Sequence, residues 1–214
     1  MSTKDEVLVK VLLTGPSGAG KTQLLRRLCG EPYDPAQAGS APPTGELASF
    51  GVLPPCEADG RRVRVQVWDL CFRTAADPYR TLPPGCALAA VALAFDATSE
   101  RSYGAVRDFY TDVCARWPRL PLVLVACRCD GARVADRALL VDTVRVLRQG
   151  RAPDAPPLWW AETSAADGRG VARLAADLAR AAVGCRTGLG VPDDAPDEWH
   201  TADAHKKSGC CVLL

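Results

Sequence analysis

Eight consecutive residues, Gly15-Pro16-Ser17-Gly18-Ala19-Gly20-Lys21-Thr22, carry the clearest chemistry in the sequence. Two glycines separated by four residues, then a lysine and a hydroxyl residue, have the spacing of a phosphate-binding loop. The glycines let the backbone curl with its N–H groups directed at phosphate oxygens. The first turn of a following helix adds partial positive charge at the same place. Lys21 can reach the outer phosphates, and the Thr22 hydroxyl can ligate Mg²⁺. Gly15, Ser17, Gly18, Ala19, Gly20, Lys21 and Thr22 are therefore candidate nucleotide-binding residues, with Thr22 also a candidate metal ligand. The plainer alternative is a glycine-rich turn that happens to precede a helix.

Such a loop works only between a strand and a helix. Residues 7–13 form an apolar run and 23–29 a helix-like one. Further strand-like runs lie at 47–56, 62–68, 86–95, 122–126 and 158–161, and further helices fit at 100–115, 137–148 and 171–182. The turn Ala58-Asp59-Gly60 joins two of the strands as a hairpin. Residues 62–67 alternate strictly, so one face is buried and the other polar. The continuous apolar runs at 86–95 and 122–126 suit fully buried parallel strands. This alternation predicts an α/β fold, a mostly parallel six-stranded sheet with helices on both faces. Ligands of such sheets sit at the carboxyl ends of the strands. Residues 1–183 read as one domain, and 184–214 as a flexible tail that loses periodicity and gains Pro, Asp and Gly.

The 26 basic and 25 acidic residues leave a net charge of +1, which gives no footing for nucleic acid as a partner. No run approaches the roughly 18 apolar residues of a membrane span. The polar start, Met1-Ser2-Thr3-Lys4-Asp5-Glu6, predicts no signal peptide. Of ten cysteines, Cys29, Cys71, Cys86 and Cys114 are scattered through strands and helices, a setting that argues for reduced thiols. Cys127-Arg128-Cys129 lacks the second ligand pair of a zinc site. The end of the chain is different. Cys211-Val212-Leu213-Leu214 fits a prenylation box whose final leucine favours geranylgeranyl. One lipid binds membranes only marginally, and Lys206 and Lys207 are outweighed by Asp193, Asp194, Asp197, Glu198 and Asp203. Cys210 is therefore the expected second lipid site. The expected location is the cytoplasmic face of a membrane, with room for a cytosolic pool. A chance cysteine pair near an apolar end is the alternative.

Five further landmarks follow in order. Pro43-Thr44 lies in the long loop after the first helix. Asp59-Gly60-Arg61-Arg62-Val63-Arg64-Val65-Gln66-Val67-Trp68-Asp69 makes a hairpin ending in Trp-Asp. Phe95-Asp96-Ala97-Thr98-Ser99-Glu100-Arg101-Ser102-Tyr103 joins a strand to a helix, Asp130 follows the buried run at 122–126, and Glu162-Thr163-Ser164-Ala165 follows the last strand. With the glycine loop, these resemble the Ras superfamily of small GTPases over residues 6–183, the Rab branch best, with Rho and Ras-like branches open. The resemblance implies a P-loop NTPase fold, with GTP or GDP and Mg²⁺ bound. It implies that Thr44 closes over Mg²⁺ and the γ-phosphate as a moving switch, and that Asp69 holds Mg²⁺ through water. Asp130 would accept hydrogen bonds from the guanine ring N–H and amino group, Arg128 would lie along the base face, and Ser164 and Ala165 would meet the base edge. Effector and regulator proteins would dock on switch I and the interswitch hairpin. Taken singly, Asp130 is a turn former, Thr44 a solvated hydroxyl, Asp69 a strand end, and Ser164-Ala165 a lead into a helix.

The departures from the family pattern carry as much information. Trp-Asp-Thr-Ala-Gly-Gln becomes Trp68-Asp69-Leu70-Cys71-Phe72-Arg73. The missing glycine would donate its N–H to the γ-phosphate and pivot, and the missing glutamine would orient the attacking water. Arg73 cannot accept a hydrogen bond from water, although a guanidinium can neutralise charge. Asn-Lys-x-Asp becomes Cys127-Arg128-Cys129-Asp130, and Cys127 cannot make the amide's bonds to the neighbouring loops. Switch I is long and rich in proline, with Tyr33 the nearest aromatic for capping the base. Three readings follow. The first is a lipid-anchored guanine-nucleotide switch in vesicle trafficking or signalling, with weak or absent hydrolysis. The second is a pseudo-GTPase scaffold that does not cycle. The third is a P-loop kinase or ATPase, which preference for ATP would favour.

Overall fold

The computed structural model describes residues 6–37, 50–58, 60–70, 79, 82, 86–151 and 155–187. β1 (Glu6–Thr14) is central because its residues are buried on both faces, Val9, Val11 and Leu13 on one and Leu12 on the other. β4 (Arg61–Asp69) pairs parallel to one side of it and β5 (Ala90–Asp96) to the other. β6 (Leu122–Cys127) and β7 (Leu158–Glu162) continue the parallel ladder beyond β5. Every residue of β5 and β6 is buried, as their unbroken apolar sequence requires. Along β4, buried Val63, Val65 and Val67 alternate with Arg62, Arg64 and Gln66, the alternation read from the sequence.

The outer arm of the hairpin is broken in two. β2 (Phe50–Val52) and β3 (Cys56–Ala58) both run antiparallel to β4. Between them Pro54 and Pro55 have no N–H to donate to a ladder. Leu53 still donates to Val65 O at 2.9 Å, so the arm keeps its place beside β4. The seven strands thus fill the six places laid out by the sequence, with β2 and β3 sharing one.

Two helical layers cover the sheet. α1 (Lys21–Leu28) and α5 (Val171–Thr187) pack Leu24, Leu25, Leu28, Leu174 and Leu178 on one face. α3 (Val106–Arg116) and α4 (Arg137–Gln149) pack Val106, Val113, Leu140 and Val144 on the other. Each such buried side chain contributes about 1.5–3 kcal/mol. The helix expected at 100–115 is interrupted: α2 (Glu100–Gly104) ends before Ala105 and α3 starts after it. The Ser99 hydroxyl caps α2 by accepting from Ser102 N, and the Asp136 carboxylate caps α4 by accepting from Leu139 N. α5 continues through Gly184 to Thr187, past the end expected from periodicity. Among the described residues, no helix is long and apolar enough to cross a membrane.

Because the five parallel strands share one direction, Thr14, Asp69, Asp96, Cys127 and Glu162 finish at the same end of the sheet. The registers Leu13↔Asp69, Asp96↔Cys127 and Ala126↔Glu162 place these ends side by side.

Candidate functional site

β1 leaves the sheet at Thr14 and turns at once into the loop 15–20. Gly15 has φ +131°, and a Cβ there would stand 2.0 Å from the Ala94 carbonyl oxygen of β5. Only glycine permits this approach. Ala19 N donates to Pro16 O at 3.3 Å and Leu24 N to Gly20 O at 2.9 Å, closing the loop and starting α1. No side chain caps α1, whose N-cap is Gly20. The first amides of α1 are thus left for an anion. Ser17 and Gly18 are exposed at the tip, while Ala19 is buried beneath it.

Lys21 is buried, and its ammonium donates to Gly15 O at 2.8 Å and Pro16 O at 2.9 Å. The Lys21 side chain therefore folds over the loop it follows. Thr22 Oγ1 donates to Asp69 Oδ2 at 2.8 Å, joining α1 to the end of β4. Asp69 is 5% exposed, and its second oxygen, Oδ1, is buried with no hydrogen-bond partner among the described residues. Burial pushes its pKa up, opposed by the Lys21 charge and the Thr22 hydrogen bond. A buried carboxylate oxygen left without a partner is costly. Mg²⁺ takes one or two protein oxygens beside phosphate and water, so Thr22 and Asp69 fit that ion.

At the other end of the site, β6 ends in buried Cys127. Dryness pushes its thiol up to about 12. The Thr163 hydroxyl donates to Ala126 O at 3.2 Å and lies 3.8 Å from Cys127 Sγ. Arg128 follows with φ +59°, the one positive φ outside glycine among the described residues. Its guanidinium points to β5 rather than outward, and Nη1 donates to Asp96 Oδ2 at 2.6 Å. Asp130, next in the turn, is exposed and accepts no hydrogen bond from the described residues.

The loop after β7 is fastened to this turn. Cys129 N donates to Thr163 O at 3.0 Å, and Arg169 Nη1 donates to Cys129 O at 3.1 Å. Ser164 is fully buried, its hydroxyl accepting from Asp167 N at 3.2 Å and its carbonyl from Gly168 N at 3.0 Å. Ala165 is half-buried beside it. Arg133 and Glu162 form an ion pair on the same side. The two ends also meet: a Cβ on Gly20 would lie 3.6 Å from Cys127 Cβ and 4.0 Å from Arg128 Nε.

The structure thus brings Gly15–Thr22, Asp69, Arg128, Asp130, Ser164 and Ala165 to one end of the sheet. Tyr33 is half-buried in the segment after α1. Thr44, Phe72, Arg73, Cys210 and Cys211 lie outside the described residues. Two contributors carry no sequence signal of their own. Arg169 reads as a solvated loop arginine, yet it bonds a carbonyl on the other loop. Tyr79 is buried, with its hydroxyl 3.4 Å from Thr14 Oγ1 and its ring edge-on to Trp117 at 5.1 Å and beneath Arg116 at 4.7 Å.

Comparison with known proteins gives a consistent answer. A model of the Ras family matches residues 10–183. The GTP-binding protein ypt2 of Schizosaccharomyces pombe is 31% identical over 121 residues, covering 53% of this chain and 54% of that protein. The Ras-related protein Rab-8B of Dictyostelium discoideum is 30% identical over 115 residues, covering 50% of each. The Ras-related protein Rab-15 of Homo sapiens is 30% identical over 120 residues, covering 53% of this chain and 50% of that protein. The chain spans about half the length of the curated relatives it matches.

Proposed function

The chain belongs to the Ras family, on its Rab-like side, and from that premise we propose that it is a membrane-anchored guanine-nucleotide switch of vesicle trafficking or signalling. The observation that carries this reading is the pair of buried charges Lys21 and Asp69 at the glycine loop, joined to α1 through the exposed Thr22, with one Asp69 oxygen still unpartnered among the described residues. Two of its parts, an ammonium and a helix N-terminus, carry the charge that triphosphate binding needs. When bound, Mg²⁺ would neutralise phosphate charge. Thr22 and Asp69 would hold it, and Thr44 would join them in the triphosphate state. Lys21 would move from Gly15 O and Pro16 O toward the phosphates while its stem stays buried. Asp130, exposed at the turn, would accept from the guanine N–H groups. Ser164 and Ala165 would line the base, and Arg128 would stand beside them with its guanidinium on Asp96. Adenine offers no matching donors, so this position discriminates between the bases.

Hydrolysis would be weak or absent. Arg73 stands where a glutamine would orient water, and Phe72 where a glycine would pivot. Cys210 and Cys211 would carry lipid to hold the domain at the cytoplasmic face, and the residues after the end of α5 at Thr187 would serve as a tether. Effectors and regulators would engage switch I and the hairpin, where Phe50 stacks on Trp68 at 5.4 Å. The second reading, a lipid-anchored scaffold that does not cycle, is favoured by buried Cys127 in place of an amide.

Protein purified natively and unfolded for nucleotide analysis should release GTP or GDP. GTP should displace a fluorescent guanine nucleotide far better than ATP, and Lys21→Ala should abolish binding. Equal displacement by ATP would end the guanine reading. No bound or binding nucleotide would favour the scaffold. Changing Cys210 and Cys211 together to Ser should release the protein to the cytosol, and persistence on membranes would refute the anchor.

A further inference from the structure

We propose that Arg128 is a positioning residue, which sets the turn presenting Asp130 through its ion pair with Asp96. The proposal rests on the guanine-nucleotide reading above for its binding consequence, and on geometry alone for the tie itself. Asp96 ends β5 directly beside Cys127 at the end of β6. Its carboxylate is only 7% exposed, and it is fixed before Arg128 reaches it. Oδ1 accepts from Thr98 N at 2.8 Å and from Thr98 Oγ1 at 2.6 Å, and the Asp96 backbone N–H donates to Ser102 Oγ at 2.9 Å. Oδ2 is left facing β6, and Arg128 takes it at 2.6 Å. The acceptor is therefore a rigid post on the neighbouring strand, and the arginine is the part that must conform.

Arg128 conforms through its backbone. A φ of +59° is a conformation that side-chain-bearing residues adopt only when the surroundings demand it. The same conformation closes the turn, with Gly131 N donating to Arg128 O at 3.1 Å. It also aims the arginine stem back along the glycine loop, Nε being 4.0 Å from the place a Cβ on Gly20 would occupy. Arg128 thus reaches β5 with its side chain, lies beside the glycine loop, and closes the turn that carries Asp130 with its backbone. Cys127, in the preceding position, offers only weak sulfur bonds, to Val125 O at 3.9 Å and from Thr163 Oγ1 at 3.8 Å. Backbone bonds already tie the turn, Ala97 N donating to Cys127 O at 3.0 Å on the β5 side and Cys129 N to Thr163 O at 3.0 Å on the β7 side; the charged side chains that add to them are Arg128 and Arg169 respectively. Half of the Arg128 side chain is exposed, so water screens the pair, and its strength sits at the low end for a charged hydrogen bond.

The test uses full-length protein and four variants: Asp96→Asn, Arg128→Ala, Arg128→Lys, and Asp96→Asn with Arg128→Ala. Two readouts are taken, the release rate of a fluorescent GDP and amide hydrogen exchange across residues 127–131. Asp96→Asn keeps the shape and the acceptor for Thr98 but removes the charge. Asp96→Asn and Arg128→Ala should each speed GDP release by about tenfold and raise exchange in the turn. The double variant should be no worse than either single one. Arg128→Lys should recover part of the loss. If Asp96→Asn leaves both readouts unchanged while Arg128→Ala alters release, Arg128 acts on the base directly and the proposal is overturned. Additive losses overturn it as well. If the wild-type chain binds no guanine nucleotide, the functional reading fails, and hydrogen exchange alone still decides whether Asp96 and Arg128 brace the turn together.

Discussion

At the phosphate end, Lys21 and Asp69 are both buried, and each is held by partners on β1, α1 or the glycine loop. At the base end, the cations that fasten the loops are Arg128 and Arg169, whose side chains are 50% and 54% exposed. The difference explains where this sequence has drifted. A buried charge stripped of its partner costs several kcal/mol, so the phosphate motif tolerates no replacement. A half-exposed arginine bond is worth much less, and one such bond can stand in for another. The buried charges follow that rule: the glycine loop with Lys21, and Asp69, are intact, while Cys127 and Arg128 replace the family's Asn and Lys; the departures at 70–73 follow Asp69 and replace neither buried charge of the motif.

The comparison breaks first if side chains alone distinguish the two ends. Backbone is equally tight at both. A Cβ on Gly15 would meet Ala94 O at 2.0 Å, and one on Gly170 would meet Glu162 O at 1.9 Å, with φ +69°. Gly15→Ala and Gly170→Ala should therefore each lose about 3 kcal/mol or more of unfolding free energy. Chemical denaturation measures both. A neutral Gly170→Ala would show that the base end yields in its backbone too, and the contrast would then be wider than drawn here.

Next in size is Asp69→Asn. It removes a charge that burial disfavours while keeping an acceptor for Thr22. Stability without nucleotide should hold or rise slightly. The tightening of nucleotide binding by Mg²⁺ should fall on the order of a hundredfold, because a neutral amide is a poor ligand for that ion. Titration with nucleotide in Mg²⁺ and in EDTA gives both numbers. Retained Mg²⁺ dependence would mean that the unpartnered oxygen does not serve the ion.

A repair at the base end should be gentler. Cys127→Asn puts an amide where the thiol now makes only long sulfur contacts. One or two new hydrogen bonds of about 0.5–1.5 kcal/mol each should tighten GDP binding by roughly 2- to 100-fold. Direct titration tests it. Unchanged affinity would show that the arginine bracing already supplies all that the amide could.

The same contrast decides what is legible in the sequence. The glycine loop was legible because its chemistry is local: four required residue types at fixed spacing, between a strand and a helix. The sheet was legible because β5 and β6 are apolar throughout and β4 alternates. The break of the outer hairpin arm at Pro54 and Pro55 depends on which N–H groups face the ladder, which the apolar pattern does not report. The Arg128 bond to Asp96 joins residues 32 apart, and the Arg169 bond to Cys129 joins residues 40 apart. Neither has a periodic signature: the resemblance put Arg128 along the base face without pointing to Asp96, and Arg169 belongs to none of the motifs. Tyr79 was hidden for the same reason, since its partners Thr14 and Trp117 are remote in sequence.

The smallest effect tests the chemistry of the base end itself. At that end a dry thiol, Cys127, sits beside the Asp96–Arg128 pair, where the phosphate end buries both Lys21 and Asp69. Cys127 in the fold is pushed from the ordinary thiol value of 9.0 up to about 12. Between those values the folded chain keeps the thiol proton and the unfolded chain loses it. The folded state then binds more protons, so its stability falls as pH rises, by at most about 1.4 kcal/mol per pH unit from this group. Below the lower value both states are protonated and the group contributes no slope. Cys127→Ala removes the effect while other titrating groups remain. Wild-type and variant unfolding free energies, measured in urea, should therefore converge or cross by about 1 kcal/mol between roughly pH 8 and pH 10. Parallel pH profiles would show that Cys127 ionises in the fold as readily as in water. The end of β6 would then not be the dry place that the burial of Cys127 makes it.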